Sequence, residues 1–234
     1  MSVRQIPLPI GPAPLHSFDG FFAGANAAAL AQLRDLARLL AQEQAQGLPP
    51  IYLWGAPGSG KTHLLRALAA EVQAGGHRAA WFDATTAPPW QLNEAWSVVV
   101  LDDCDAYAAE QQQAAFALFI EAGTQGLPIV AAGTLPPTDL GLRDDLRTRL
   151  GWGHVHALQA LTESDTRAAL RREADRRGIF LSDEVMDFLL TRFSRDLAHL
   201  LALLERLDEF ALSQHRAVTV PLLKRMFEQE GAAL

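Results

Sequence analysis

Ile51-Tyr52-Leu53-Trp54-Gly55-Ala56-Pro57-Gly58-Ser59-Gly60-Lys61-Thr62-His63-Leu64-Leu65 reads as a short apolar strand, a glycine-rich turn and the first turn of a helix. Gly55, Gly60, Lys61 and Thr62 fit the phosphate-binding pattern G-x-x-x-x-G-K-[ST]. Glycines let successive backbone N–H groups curl round a phosphate without Cβ clashes. The helix that follows points its positive end and its unpaired N–H groups at the same anion. Lys61 adds a point charge and Thr62 a hydroxyl for Mg2+. A chance glycine turn is the alternative, and the strand before and helix after the loop argue against it.

A second apolar stretch carries acids. Ser97-Val98-Val99-Val100-Leu101 reads as a parallel strand buried on both faces, and it ends in Asp102-Asp103. Ligands bind at the carboxyl ends of strands in open α/β sheets. Asp102 is therefore expected on the Mg2+ side, and Asp103 as the acid that activates or orients water. Asp105 is free to cap the helix that follows, which spans about Glu110 to Ala122 with Gly123 and Gly126 flanking its end. The strand Leu127–Ala132 ends at Gly133-Thr134, where Thr134 is placed either to reach an outer phosphate or simply to form a turn. Arg147 and Arg149 sit on a short helical piece closed by Gly151-Trp152-Gly153. Each is either a surface charge or an arginine finger offered to a nucleotide on another subunit.

Between these segments, Arg78–Asp83 and His154–Leu158 read as further strands, and residues 85–95 as a short stretch broken by Pro88-Pro89. Upstream of the loop, Asn26 is a plausible N-cap for a helix reaching about Gln46. Downstream, Thr162, Ser182, Ser194 and Thr219 open four helices of a small bundle. Arg195, in the first turn of the third, is unfavourable for that helix dipole, so it either meets an external anion or is a solvated surface arginine, and the anion is the expectation.

The N-terminus is different in kind. Gln5-Ile6-Pro7-Leu8-Pro9-Ile10 is too rich in proline for a helix, and extension puts Ile6, Leu8 and Ile10 on one side. Two readings stand: a tail lying on its own domain, or a linear peptide docking in a partner's groove with Gln5 as polar anchor.

A chain of 234 residues, 49% apolar and 20% charged, suits one large or two small globular domains. A net charge of −7 argues against a broad nucleic-acid surface. One cysteine, Cys104, excludes an internal disulfide and fits a reducing cytoplasm. The prolines at the start do not suit a signal peptide, and no apolar run is long enough to span a membrane.

The order of these features resembles the AAA+ ATPases of the DnaA family. The carrying segments are Ser17–Gly24, Gly55–Thr62, Val98–Asp103, Arg147–Gly153 and Arg195-Asp196-Leu197. Two departures resemble the Hda-like inactivators of DnaA within that family. The chain stops at Leu234 with no basic recognition helix, and only Ala84–Trp96 stand where DnaA has a helical insertion for single-stranded DNA. The implied fold is an α/β nucleotide-binding core with a parallel sheet, followed by an all-α lid. The implied domains are a tail (1–14), the AAA+ core (15–159) and the lid (160–234).

Carried over by position, the resemblance makes Gln5, Ile6, Leu8 and Ile10 a peptide for the DNA polymerase III sliding clamp. Phe18, Asp19 and Phe22 would meet the adenosine. Gly55, Pro57, Gly58, Ser59, Gly60, Lys61, Thr62 and His63 would surround the phosphates, with Thr62 and Asp102 on Mg2+. Asp103 completes the acidic pair, Arg149 is the arginine finger, and Arg195 is the lid arginine that senses nucleotide. Thr134 replaces an acidic or other polar residue, which suits a subunit that keeps ADP rather than turning over ATP. The implied function is negative regulation of replication initiation, by stimulating hydrolysis of ATP bound to the DnaA initiator, with weak or no intrinsic ATPase. Two rivals remain: a self-assembling ATPase that loads or remodels a replication protein, and a nucleotide-dependent DNA binder, which the charge opposes.

Overall fold

The computed structural model describes residues 16–193, 197–214 and 216–230. Gln5, Ile6, Leu8, Ile10, Ser194 and Arg195 lie outside the described residues. The chain forms two compact units, divided between Ala160 and Leu161.

The first unit contains α1 (Ala27–Ala41), β1 (Ile51–Trp54), α2 (Lys61–Ala74), β2 (Ala79–Phe82), β3 (Val98–Leu101), α3 (Ala109–Gln125), β4 (Ile129–Gly133), α4 (Asp144–Gly151) and β5 (His154–Ala157). The strands form one parallel sheet in the order β2-β3-β4-β1-β5. Side chains alternate across a strand, and both faces here are apolar. Ile51, Leu53, Val98, Val100, Val130 and Ala132 enter one core with Leu33, Leu36, Leu40, Leu64, Leu65 and Leu68 of α1 and α2. Tyr52, Val99, Leu101, Ile129 and Ala131 enter the other with Ala115, Leu118 and Phe119 of α3 and Leu146 and Leu150 of α4. Each such Val or Leu contributes about 1.5–3 kcal/mol on burial, which is why β1, β3 and β4 are almost entirely apolar, whereas the edge strand β5 is exposed and carries two histidines. Because the sheet is parallel, the carboxyl ends of β1, β3 and β4 share one edge.

Several local expectations are corrected. Asn26 holds the N-cap position of α1, but its side chain makes no capping bond. It is buried, its Nδ2 donates to the Gln159 carbonyl at 2.9 Å, and its Oδ1 accepts from the Gln159 amide at 2.8 Å. α1 stops at Ala41 rather than near Gln46, because Glu43 turns into the left-handed region (φ 57°) and the Gln44 amide returns to the Leu39 carbonyl at 2.9 Å. That reversal buries Ala45. Gly123 lies within α3, whose left-handed closing residue is Gly126.

The second unit holds α5 (Glu163–Arg177), α6 (Asp183–Arg192), α7 (Leu197–Gln214) and α8 (Val220–Glu230). Thr162 and Asp165 form a reciprocal capping box at α5, Gly178 ends it, and the Ser182 hydroxyl accepts from the Val185 amide. Leu170, Val185, Met186, Leu189, Leu200, Leu204, Leu207, Leu223 and Met226 make its own core. Among the described residues no helix is long and apolar enough to cross a membrane.

Candidate nucleotide-binding site

Strand order brings the separated motifs together. β4 lies between β3 and β1, so Thr134 sits between Asp102 and the glycine-rich loop. The Gly55 amide donates to the Gly133 carbonyl at 3.3 Å, which fastens the loop to the tip of β4.

Gly60 occupies the left-handed region (φ 95°), and a Cβ there would come within 2.6 Å of the Phe21 ring. Backbone conformation and packing both require glycine at this position. Lys61 opens α2 with only 6% of its surface exposed. Its Nζ donates to the Gly55 carbonyl at 2.7 Å and the Ala56 carbonyl at 3.2 Å. An ammonium has three protons, so one remains for a phosphate oxygen. Burial pulls the Lys61 pKa down, while the charges of Asp103, Asp105 and Asp102 push it back up. Ser59 is 5% exposed and its hydroxyl has no partner among the described residues. An orphaned buried hydroxyl costs free energy, and a phosphate oxygen would satisfy it. A phosphate therefore fits this loop.

Asp102 is buried, and burial raises its pKa. A hydrogen bond from Thr62 opposes that shift, and the Asp103 amide donates to Asp102 Oδ1 at 3.0 Å. Thr62 and Asp102, the expected Mg2+ pair, are thus adjacent. Mg2+ takes six ligands and keeps several waters, so these two side chains suit an ion shared with phosphate oxygens. Asp103 is exposed, with a left-handed backbone at φ 51°.

Asp105 does not cap the next helix. Its Oδ1 accepts from the Thr134 amide at 2.9 Å and its Oδ2 from the Thr134 hydroxyl at 2.7 Å. The start of α3 is served by Gln111, whose Oε1 accepts from the Ala108 amide at 2.9 Å. Thr134 thus has its hydroxyl proton committed to Asp105, a link no spacing in the sequence announces.

The 17–22 segment forms a flank of the loop. Phe18 is buried in the core with Phe21, while Phe22 is half-buried. Asp19 pairs with Arg34 at 2.6 Å. His63 Nε2 lies 3.0 Å from the Ser17 carbonyl, its Nδ1 lies 3.4 Å from His16 Nδ1, and Phe21 packs against its ring at 5.6 Å. Burial lowers the pKa of both histidines, and the charges of His63 and Arg66 lower His16 further. Phe21, His16 and Asp105 are the site neighbours that sequence reasoning missed. Only the aromatic run Phe21-Phe22 hinted at the first.

The arginines in α4 and just before it differ. Arg143 forms a two-point pair with Asp145 at 2.7 and 2.8 Å, and Arg147 pairs with Asp144 at 2.7 Å. Arg149 is half-buried, and its guanidinium makes no hydrogen bond or ion pair among the described residues.

Residues 13–82 match the model of the bacterial DnaA ATPase domain, and residues 163–227 match that of the Hda lid domain. An uncharacterized protein of Haemophilus influenzae is 32% identical over 232 residues, covering 95% of this chain and 98% of its own. Domain III of the Thermotoga maritima replication initiation protein DnaA has a similar structure, with a TM-score of 0.71 at 20% identity, over 96% of this chain and 98% of that one. AMPPCP-bound DnaA from Aquifex aeolicus gives 0.68 at 20% identity, over 94% and 70%. The Thermotoga maritima RuvB Holliday junction branch migration motor gives 0.58 at 16% identity, over 85% and 68%. The two matched family models, the relative that matches almost end to end and the shared fold place this chain in the DnaA family of AAA+ proteins, on its Hda-like side.

Proposed function

We propose that this chain is a nucleotide-bound regulator of replication initiation that promotes hydrolysis of ATP held by the DnaA initiator. One observation carries the catalytic part: of Arg143, which precedes α4, and Arg147 and Arg149 within it, Arg149 alone makes no ion pair among the described residues, since Asp145 holds Arg143 and Asp144 holds Arg147. A half-buried guanidinium without an anion is poised for one brought by another molecule. Arg149 stabilises charge on the transferring phosphoryl group of the initiator's ATP, an effect worth roughly 10³–10⁵ in rate in GTPases.

The chain's own site holds ADP, or ATP, with Mg2+. Bound there, Mg2+ neutralises phosphate charge. Lys61 and Ser59 bind phosphate oxygens, Thr62 and Asp102 orient the metal, and Phe18, Asp19 and Phe22 flank the adenosine. His63 holds the 16–21 segment against the loop through Ser17. Thr134, tied to Asp105, fits a site that retains its nucleotide, with Asp103 exposed beside it as the remaining acid. Arg195, outside the described residues, keeps the nucleotide-sensing role that the family resemblance implies. Gln5, Ile6, Leu8 and Ile10 tether the chain to the sliding clamp, which raises its effective concentration near the initiator.

The test is clamp- and DNA-dependent hydrolysis of ATP preloaded on DnaA. Arg149→Ala is expected to abolish stimulation and Arg147→Ala to spare it. The Gln5→Ala/Leu8→Ala tail is expected to remove the dependence on clamp. Stimulation unchanged by Arg149→Ala would overturn the proposal.

A further inference from the structure

We infer that Trp152, with Arg149 beside it and Val155 on the edge strand, anchors the nucleotide-bearing face of a second ATPase subunit. The inference rests on the function proposed above and adds the surface that does the gripping. Trp152 is 74% exposed, the largest apolar side chain so exposed among the described residues. It is not loosely held. Its amide donates to the Arg149 carbonyl at 3.4 Å and its backbone stays helical (φ −76°, ψ −23°), so the two residues are three apart on one helical face.

The turn beneath it is rigid. The His154 amide donates to the Pro50 carbonyl at 2.8 Å. A Cβ at Gly153 would overlap that same carbonyl. The backbone next to Trp152 is thus pressed against the sheet, while its ring stands in solvent. Val155 pairs in register with Tyr52, whose side chain belongs to the core beneath α3 and α4. Side chains in register point to the same face, so Val155, 40% exposed, lies on the side of the sheet that α4 covers.

The surface is thus a rigid aromatic, an aliphatic neighbour and an unpaired cation. Charge complementarity identifies the occupant. The nearby carboxylates of α4 are spent on Arg143 and Arg147, so the partner must supply the negative charge. It must also supply an apolar recess for an indole. A nucleotide triphosphate in the cleft of another ATPase subunit offers the first, and the rim of that cleft the second. Buried Trp and Arg are the residue types that dominate binding energy at interfaces.

The experiment titrates the full chain into ATP-loaded initiator with clamp on DNA and reads both the half-saturating concentration and the maximal hydrolysis rate. Trp152→Ala is expected to raise half-saturation about thirtyfold at unchanged maximal rate, the size of a hot-spot truncation. Trp152→Phe should recover most of the loss. Arg149→Ala should instead collapse the maximal rate. Thermal melting of each variant checks that folding is intact, as the exposed position predicts. If Arg149→Ala collapses the rate while Trp152→Ala leaves half-saturation unchanged, the anchor is overturned and the function stands. If Arg149→Ala changes nothing, both fall. A Trp152→Ala effect confined to self-association of this chain, read by sedimentation, also overturns the anchor.

Discussion

Gly60 is the residue on which the site turns. Any other side chain would strain a left-handed backbone and strike Phe21. Gly60→Ala is expected to cost about 1–3 kcal/mol of stability and to weaken ADP binding at least tenfold. Urea denaturation and calorimetric titration check the two effects separately. The glycine requirement was legible in the motif, but Phe21 as the cause of the close fit was not. Its approach depends on how the 17–22 segment packs onto α2. The same holds for Asp105, whose partner Thr134 is 29 residues away and becomes a neighbour only because β3 and β4 pair. Cys104 illustrates the opposite case. It sits in the second core, where burial pushes its thiol up to about 12, so it stays protonated and unreactive as a lone buried cysteine should.

At the scale of elements, the apolar runs of β1, β3 and β4 and the leucine spacing of α1 were legible because each had to bury hydrocarbon on one or both faces. Ends were less legible than bodies. Asn26 has the composition of a cap, yet its amide serves tertiary structure by closing both backbone groups of Gln159. A side chain that can bond either locally or at a distance does not announce which from sequence. Asn26→Ala leaves those groups without protein partners, at an expected cost of about 1–3 kcal/mol. Loss of exchange protection at the Gln159 amide, read by hydrogen exchange, distinguishes this from a lost cap, which would instead expose the first turn of α1. The capping box at Thr162 was legible because both its members lie within one turn.

For the whole molecule, three buried or half-buried histidines set a pH dependence. Burial lowers the pKa of His16, His63 and His156. The unfolded chain therefore binds protons near pH 6.5 that the folded chain refuses. Stability contributed by these groups is present above about pH 6.5 and is lost as pH falls below it. Urea midpoints should drop between pH 7.5 and 5.5, and His63→Gln should flatten the drop. A midpoint that rises on acidification over that range contradicts the assignment.

The family and fold follow from features spread along the entire chain, whereas the division of labour between two nucleotides rests on Arg149. The decisive measurement follows whose ATP is consumed. The initiator is loaded with labelled ATP, this chain with unlabelled ADP, and the two are mixed with clamp on DNA. The account predicts labelled ADP formed on the initiator, at a rate that collapses with Arg149→Ala, and little turnover by this chain alone. Contradiction would be steady ATP turnover by this chain alone, rising with its own concentration and unchanged by adding the initiator.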